Sequence, residues 1–73
     1  MKTKRERFES IASSRVQKVI NNLNSLAKCS NKNNYDYTEE DVNKMMSAIK
    51  KNVKDLENKF KSSLANKDQK FKF

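Results

Sequence analysis

Glu39, Glu40 and Asp41 form the densest run of chemically capable side chains in this sequence. Three adjacent acids suggest a metal site or a catalytic pair. Successive positions on a helix point in different directions, however, so the run does not converge on one ion. The wider composition offers little help to catalysis. There is no His, hence no imidazole base and no imidazole ligand. There is no Gly, hence no phosphate-cradling loop of the P-loop or dinucleotide kind. The single cysteine, Cys29, has no second thiol to pair with and no His to activate it. These absences argue against an enzyme, and no cofactor or metal is expected. A lone cysteine fits a reducing, cytoplasmic compartment.

What remains is cationic chemistry. The net charge is +8, which directs attention to anionic partners, nucleic acid first. Lys and Asn are also what an AT-rich genome supplies, and part of the charge serves solubility. The arginines are more informative. Arg5, Arg7 and Arg15 all fall in the first half of the chain, together with Lys2, Lys4 and Lys18, whereas the second half uses lysine alone. The planar guanidinium fork suits phosphate and carboxylate oxygens.

The elements that carry these groups are helices. "TEED" at Thr38 to Asp41 has the form of a capping box, with Thr38 as N-cap and Asp41 reaching back to it. The acids thus belong to a helix start, where they also oppose the positive end of the helix dipole. Tyr37 and Val42 occupy the two positions of a hydrophobic staple. Tyr35 is expected over the end of the preceding helix, and Asn31, Asn33 and Asn34 are suited to left-handed backbone in a chain without Gly. Downstream, Val42, Met46, Ile49, Val53, Leu56 and Phe60 recur at alternating spacings of four and three, a heptad-like stripe. Glu40 with Lys44, Asp55 with Lys59 and Glu57 with Lys61 are acid-before-base pairs one turn apart.

The first half repeats the arrangement. Thr3 to Glu6 is a second Thr-x-x-acid start, and Phe8, Ala12, Val16, Val19, Leu23 and Leu26 mark one face, widened by Ile20 and Ala27. The spacing predicts helix 1 over about 4–28, a loop over about 29–37 and helix 2 over about 39–64, followed by a flexible basic tail at 66–73. The fold class is all-α, an antiparallel two-helix hairpin over 1–65. Two such helices cover only part of each other's apolar stripes. A homodimer forming a four-helix bundle is therefore expected, with Val16, Val19, Leu23, Met46, Ile49, Val53, Leu56 and Phe60 in its core. No leader or membrane span is expected, because no apolar run is long enough.

On helix 1, Arg7, Ile11, Arg15, Lys18 and Asn22 line one flank of the apolar face, while Glu6 and Glu9 lie elsewhere. With Lys4 and Arg5, and with Lys50 and Lys54 of helix 2, they form the candidate nucleic-acid surface, able to track phosphates of DNA or RNA. No base-reading motif accompanies it. The same stripe also suits a solvated flank whose arginines lie along the core edge or pair with acids of a partner hairpin. A protein adaptor or inhibitor that docks an acidic partner is the alternative function, with Ile11 as its anchor. A membrane-surface helix is disfavoured because the apolar faces are already committed.

The stretch from "RERF" at Arg5 to "ENKF" at Phe60 resembles a group of short helical proteins from Gram-positive bacteria and their plasmids, phages and conjugative elements. The likeness lies in Phe8, Ala12 and Arg15, in Asn34 and Tyr35, and in Tyr37 through Val42, set against a pattern of the type NLSNxxNYxYTEEDV. It covers about four-fifths of the chain. "AKCSNKNN" departs from the group's usual Gly-containing opening to that centre. The resemblance implies a mobile-element setting and a helical hairpin, and it assigns no site residues. RNA-binding copy-number modulators of plasmids offer an analogy of fold alone.

Overall fold

The computed structural model describes residues 3–68, which contain two α-helices and no strand. Helix α1 spans Lys4–Ala27 and ends in a single 3-10 turn at Lys28–Ser30; helix α2 spans Glu39–Asp68. The chain divides into two units, one through Asp36 and one from Tyr37.

In the first unit, α1 begins at a complete capping box. Thr3 is extended at φ −71° and ψ 167°, and its Oγ1 accepts from the Glu6 N–H at 3.1 Å. The Thr3 N–H donates in return to Glu6 Oε1 at 3.3 Å. Two of the helix's otherwise unpaired donors are thereby satisfied, which fixes where coiling starts. No Gly or Pro interrupts the coil, and Gln17 Nε2 bridges one turn to Asn21 Oδ1 at 2.9 Å. At the far end the Lys28 N–H turns to the Ser25 carbonyl, tightening the coil before it unwinds.

Asn31 then stops the helix by a route different from the one expected. Its backbone is extended, at φ −70° and ψ 104°. Its side-chain Oδ1 accepts from the Asn33 N–H at 3.0 Å, and its carbonyl accepts from the N–H groups of Asn34, at 3.1 Å, and Tyr35, at 3.0 Å. Among the described residues no φ is positive, so Asn31, Asn33 and Asn34 are not left-handed substitutes for Gly. The asparagine-rich bend is held by an Asx turn, in which a side chain imitates a backbone carbonyl.

In the second unit, the Thr38 N–H donates to Asp41 Oδ2 at 2.9 Å, and the Asp41 N–H donates to Thr38 Oγ1 at 3.2 Å. Tyr37 and Val42, the staple positions, are both half-buried, whereas nearly every other side chain among the described residues is exposed. Of the three anticipated ion pairs, Glu40 with Lys44 (3.5 Å) and Glu57 with Lys61 (2.9 Å) form. Asp55 instead takes Lys51, one turn before it, at 3.4 Å, in place of Lys59. Helix α2 also continues past the expected end near 64 to Asp68, because Ser, Ala, Asn and Lys offer no strong stop. The first residues of the expected tail at 66–73 thus extend α2, and 69–73 lie outside the described residues, as does Lys2.

No side chain among the described residues is fully buried. The residues expected to form a dimer core are arrayed on one face of each helix. Val16, Val19, Leu23, Met46, Val53, Leu56 and Phe60 are exposed, from 40% at Met46 to 57% at Leu56, and Ile49 is half-buried. At about 100° per residue the apolar arc of α1, from Phe8 round to Ile20, covers about 120°, with Ile11 set apart from it by about 60°, and that of α2, from Met45 to Leu64, covers about 100°. Both are single stripes of the width that one contact face needs.

Candidate nucleic-acid interface

The acids of α1 determine which of its cations are left over. Glu6 is held in the capping box by the Thr3 N–H and by the Thr3 hydroxyl, which donates to the same Oε1 at 3.0 Å. Glu9 accepts from Arg5 Nε at 2.7 Å. These are the only two acids in α1. Lys4, Arg7, Arg15 and Lys18 consequently have no ion-pair partner among the described residues.

Those four cations share one flank. With Ile11 and Asn22 they occupy an arc of about 80° along one border of the apolar face, at about 100° per residue. From Lys4 to Lys18 the row rises about 21 Å, at 1.5 Å per residue. Arg5, by contrast, is drawn away. It is paired with Glu9, and its guanidinium lies 5.8 Å from the centre of the Phe8 ring, within range of a cation–π attraction. By the same wheel it projects from the middle of the apolar arc, in phase with Leu23 and about 80° from Arg15.

Ser14 and Ser25 fall on the outer edge of the same flank by the same wheel, and both are exposed. Reasoning from charge alone passes over them. Hydroxyl and amide donors commonly supplement cations at phosphate oxygens, and helical phase is the signal that finds these two.

The two α2 candidates, Lys50 and Lys54, differ in their surroundings. Lys54 and Lys61 converge on one carboxylate, Glu57 Oε1, at 3.6 and 2.9 Å. Lys50 has no ion-pair partner among the described residues. Among the described residues no cluster of ligating side chains could hold a metal ion, and no helix is long and apolar enough to cross a membrane. Cys29 is exposed in the turn after α1, eleven residues beyond Lys18.

No family model, curated protein or solved structure matches the chain.

Proposed function

We propose that this chain is a small accessory or regulatory protein of a bacterial mobile element that binds nucleic acid through backbone phosphates. The contacts come from Lys4, Arg7, Arg15 and Lys18 of α1. In this reading the two helices fold back as an antiparallel hairpin, and two copies close into a four-helix bundle that doubles the row. One observation carries it: both α1 acids are engaged elsewhere, leaving four cations on one flank with no counter-charge. A solvated flank built for solubility alone has no need of that segregation. Lys50 and Lys54 play at most a secondary part, since Lys54 already has Glu57.

Phosphate contact is electrostatic and independent of sequence, so DNA and RNA both qualify. Binding should weaken by about 0.7–0.9 log units per phosphate contact for each tenfold rise in salt. The deciding experiment is pull-down from a bacterial lysate with and without nuclease, repeated with Arg7→Glu, Arg15→Glu and Lys18→Glu combined. Nucleic acid should be retained by the original chain and lost by the variant at equal helicity. Equal retention by both would exclude the α1 row as the contact surface.

A second reading rests on Ile11. It is 45% exposed in the middle of the cationic flank, where a pure phosphate surface gains nothing from an apolar side chain. A protein adaptor would use Ile11 as an anchor and the cations around it to meet an acidic partner. Capture of a protein that survives nuclease and physiological salt, and is lost on Ile11→Asp, would favour that reading.

A further inference from the structure

The narrow stripe of α2 has flanks that specify its partner. With Val42, Ile49 and Leu56 as one seam position and Met46, Val53 and Phe60 as the other, Lys50 and Glu57 fall together on one flank. Met45, Asn52 and Lys59 fall on the opposite one. In a parallel pair of helices, residues of one flank meet the opposite flank of the neighbour five positions on. Met45 would then face Lys50, Asn52 would face Glu57 and Lys59 would face Leu64, with no charge complement anywhere. In an antiparallel pair each flank meets its own kind. Lys50 then faces Glu57 of the second copy, and Glu57 faces the second copy's Lys50, while Asn52 faces Lys59 without conflict.

We propose that α2 is the self-association helix, docking antiparallel on α2 of a second copy about a two-fold axis between Val53 and Leu56. Phe60 then lies opposite Ile49 of the other chain, Val53 opposite Leu56, and two reciprocal Lys50–Glu57 pairs lock the register. A two-fold axis requires this reciprocity, and the charge pattern supplies it. Lys50 and Lys59 are the α2 flank cations with no ion pair among the described residues, and of the two only Lys50 meets an acid in this pairing, Glu57, which also takes Lys54 and Lys61 of its own chain. This pairing rests on the two-copy reading and adds direction, register and the deciding residues.

The test has two arms, both on the full chain. In the first, Cys29→Ser removes the native thiol and single cysteines are placed in the seam for linkage by a short bis-maleimide. Val53→Cys should link to itself, because its counterpart lies close to the axis. Phe60→Cys should not, because the two copies of that position sit about eleven residues, or about 16 Å, apart along the axis. An equimolar mixture of Phe60→Cys and Ile49→Cys chains should link to each other. In the second arm, Lys50→Glu and Glu57→Lys should each weaken dimerisation by about tenfold, and the double exchange should restore it while circular dichroism stays unchanged. A chain that sediments as a single copy at all concentrations overturns the two-copy reading together with this one. A dimer in which Phe60→Cys links readily to itself, or in which the exchange fails to rescue, overturns the antiparallel α2 pairing and leaves the two-copy reading standing.

Discussion

Thr38 and Asp41 exchange two hydrogen bonds across the first turn of α2, at 2.9 and 3.2 Å, and Thr3 and Glu6 do the same for α1 at 3.3 and 3.1 Å. Each helix thus carries its own start instruction. Thr38→Ala should cost about 1 kcal/mol of stability, with Thr38→Ser nearly neutral, because only the hydroxyl acceptor matters. Thermal melts followed by circular dichroism would measure both. A loss under about 0.3 kcal/mol for the alanine variant would mean that the box contributes little.

The salt dependence of binding should report how many cations touch phosphate. Four contacts per copy give a slope of about −3 to −4 for duplex DNA in a plot of log affinity against log salt, doubled if both copies engage one duplex. Arg7→Ala should reduce the slope by about one unit per engaged copy. Arg5→Ala should leave it unaltered, since Arg5 is committed to Glu9 and Phe8. Fluorescence anisotropy across a salt series gives these slopes directly.

Glu57 accepts from both Lys54 and Lys61 on an exposed surface, where such pairs are worth about 1 kcal/mol at most. Glu57→Gln should therefore barely change melting at a protein concentration well above dissociation. It should nonetheless raise the concentration at which chains associate, because the proposed antiparallel pairing would set that carboxylate against Lys50 of a second copy. Sedimentation equilibrium at several loadings measures the change, and an unaltered or lowered value would count against the pairing.

Asn31 accepts three backbone N–H groups with negative φ, and its neighbours Asn33 and Asn34 also keep negative φ. Replacing Asn33 or Asn34 by Gly should therefore destabilise by about 0.5–1 kcal/mol, through the unfolded chain's added freedom. At truly left-handed positions the same change would stabilise. Denaturant melts of the two variants give the sign.

Both helix starts are legible in the sequence because a capping box is a contract among four consecutive residues, independent of anything distant. The apolar stripes are legible for the same reason, as simple periodicities. The ion pair of Asp55 is not. Lys51 and Lys59 stand one turn to either side, and local spacing alone does not choose between them. The end of α2 lies beyond its expected place because "SSLANKD" lacks both a strong stop and a strong apolar rhythm. The bend falls where the sequence puts it but is held differently, since Asn serves equally as a left-handed residue and as an Asx acceptor. For the candidate site, helical phase sets Arg7, Arg15 and Lys18 on one flank, but charge counting does not show that Arg5 and Lys54 each have an acid beside them. Their neighbours Glu9 and Glu57 have to be placed in three dimensions before that is apparent.

The uncovered oily edges of the two helices have a consequence for dosage. If two copies pair as proposed, the chain is sheltered only by meeting its own kind and is protected in proportion to abundance, since association follows mass action. Sparse copies would stay open to proteases and crowded ones would not, so pulse-chase lifetimes should lengthen as expression rises. Doubling the gene would then more than double the product.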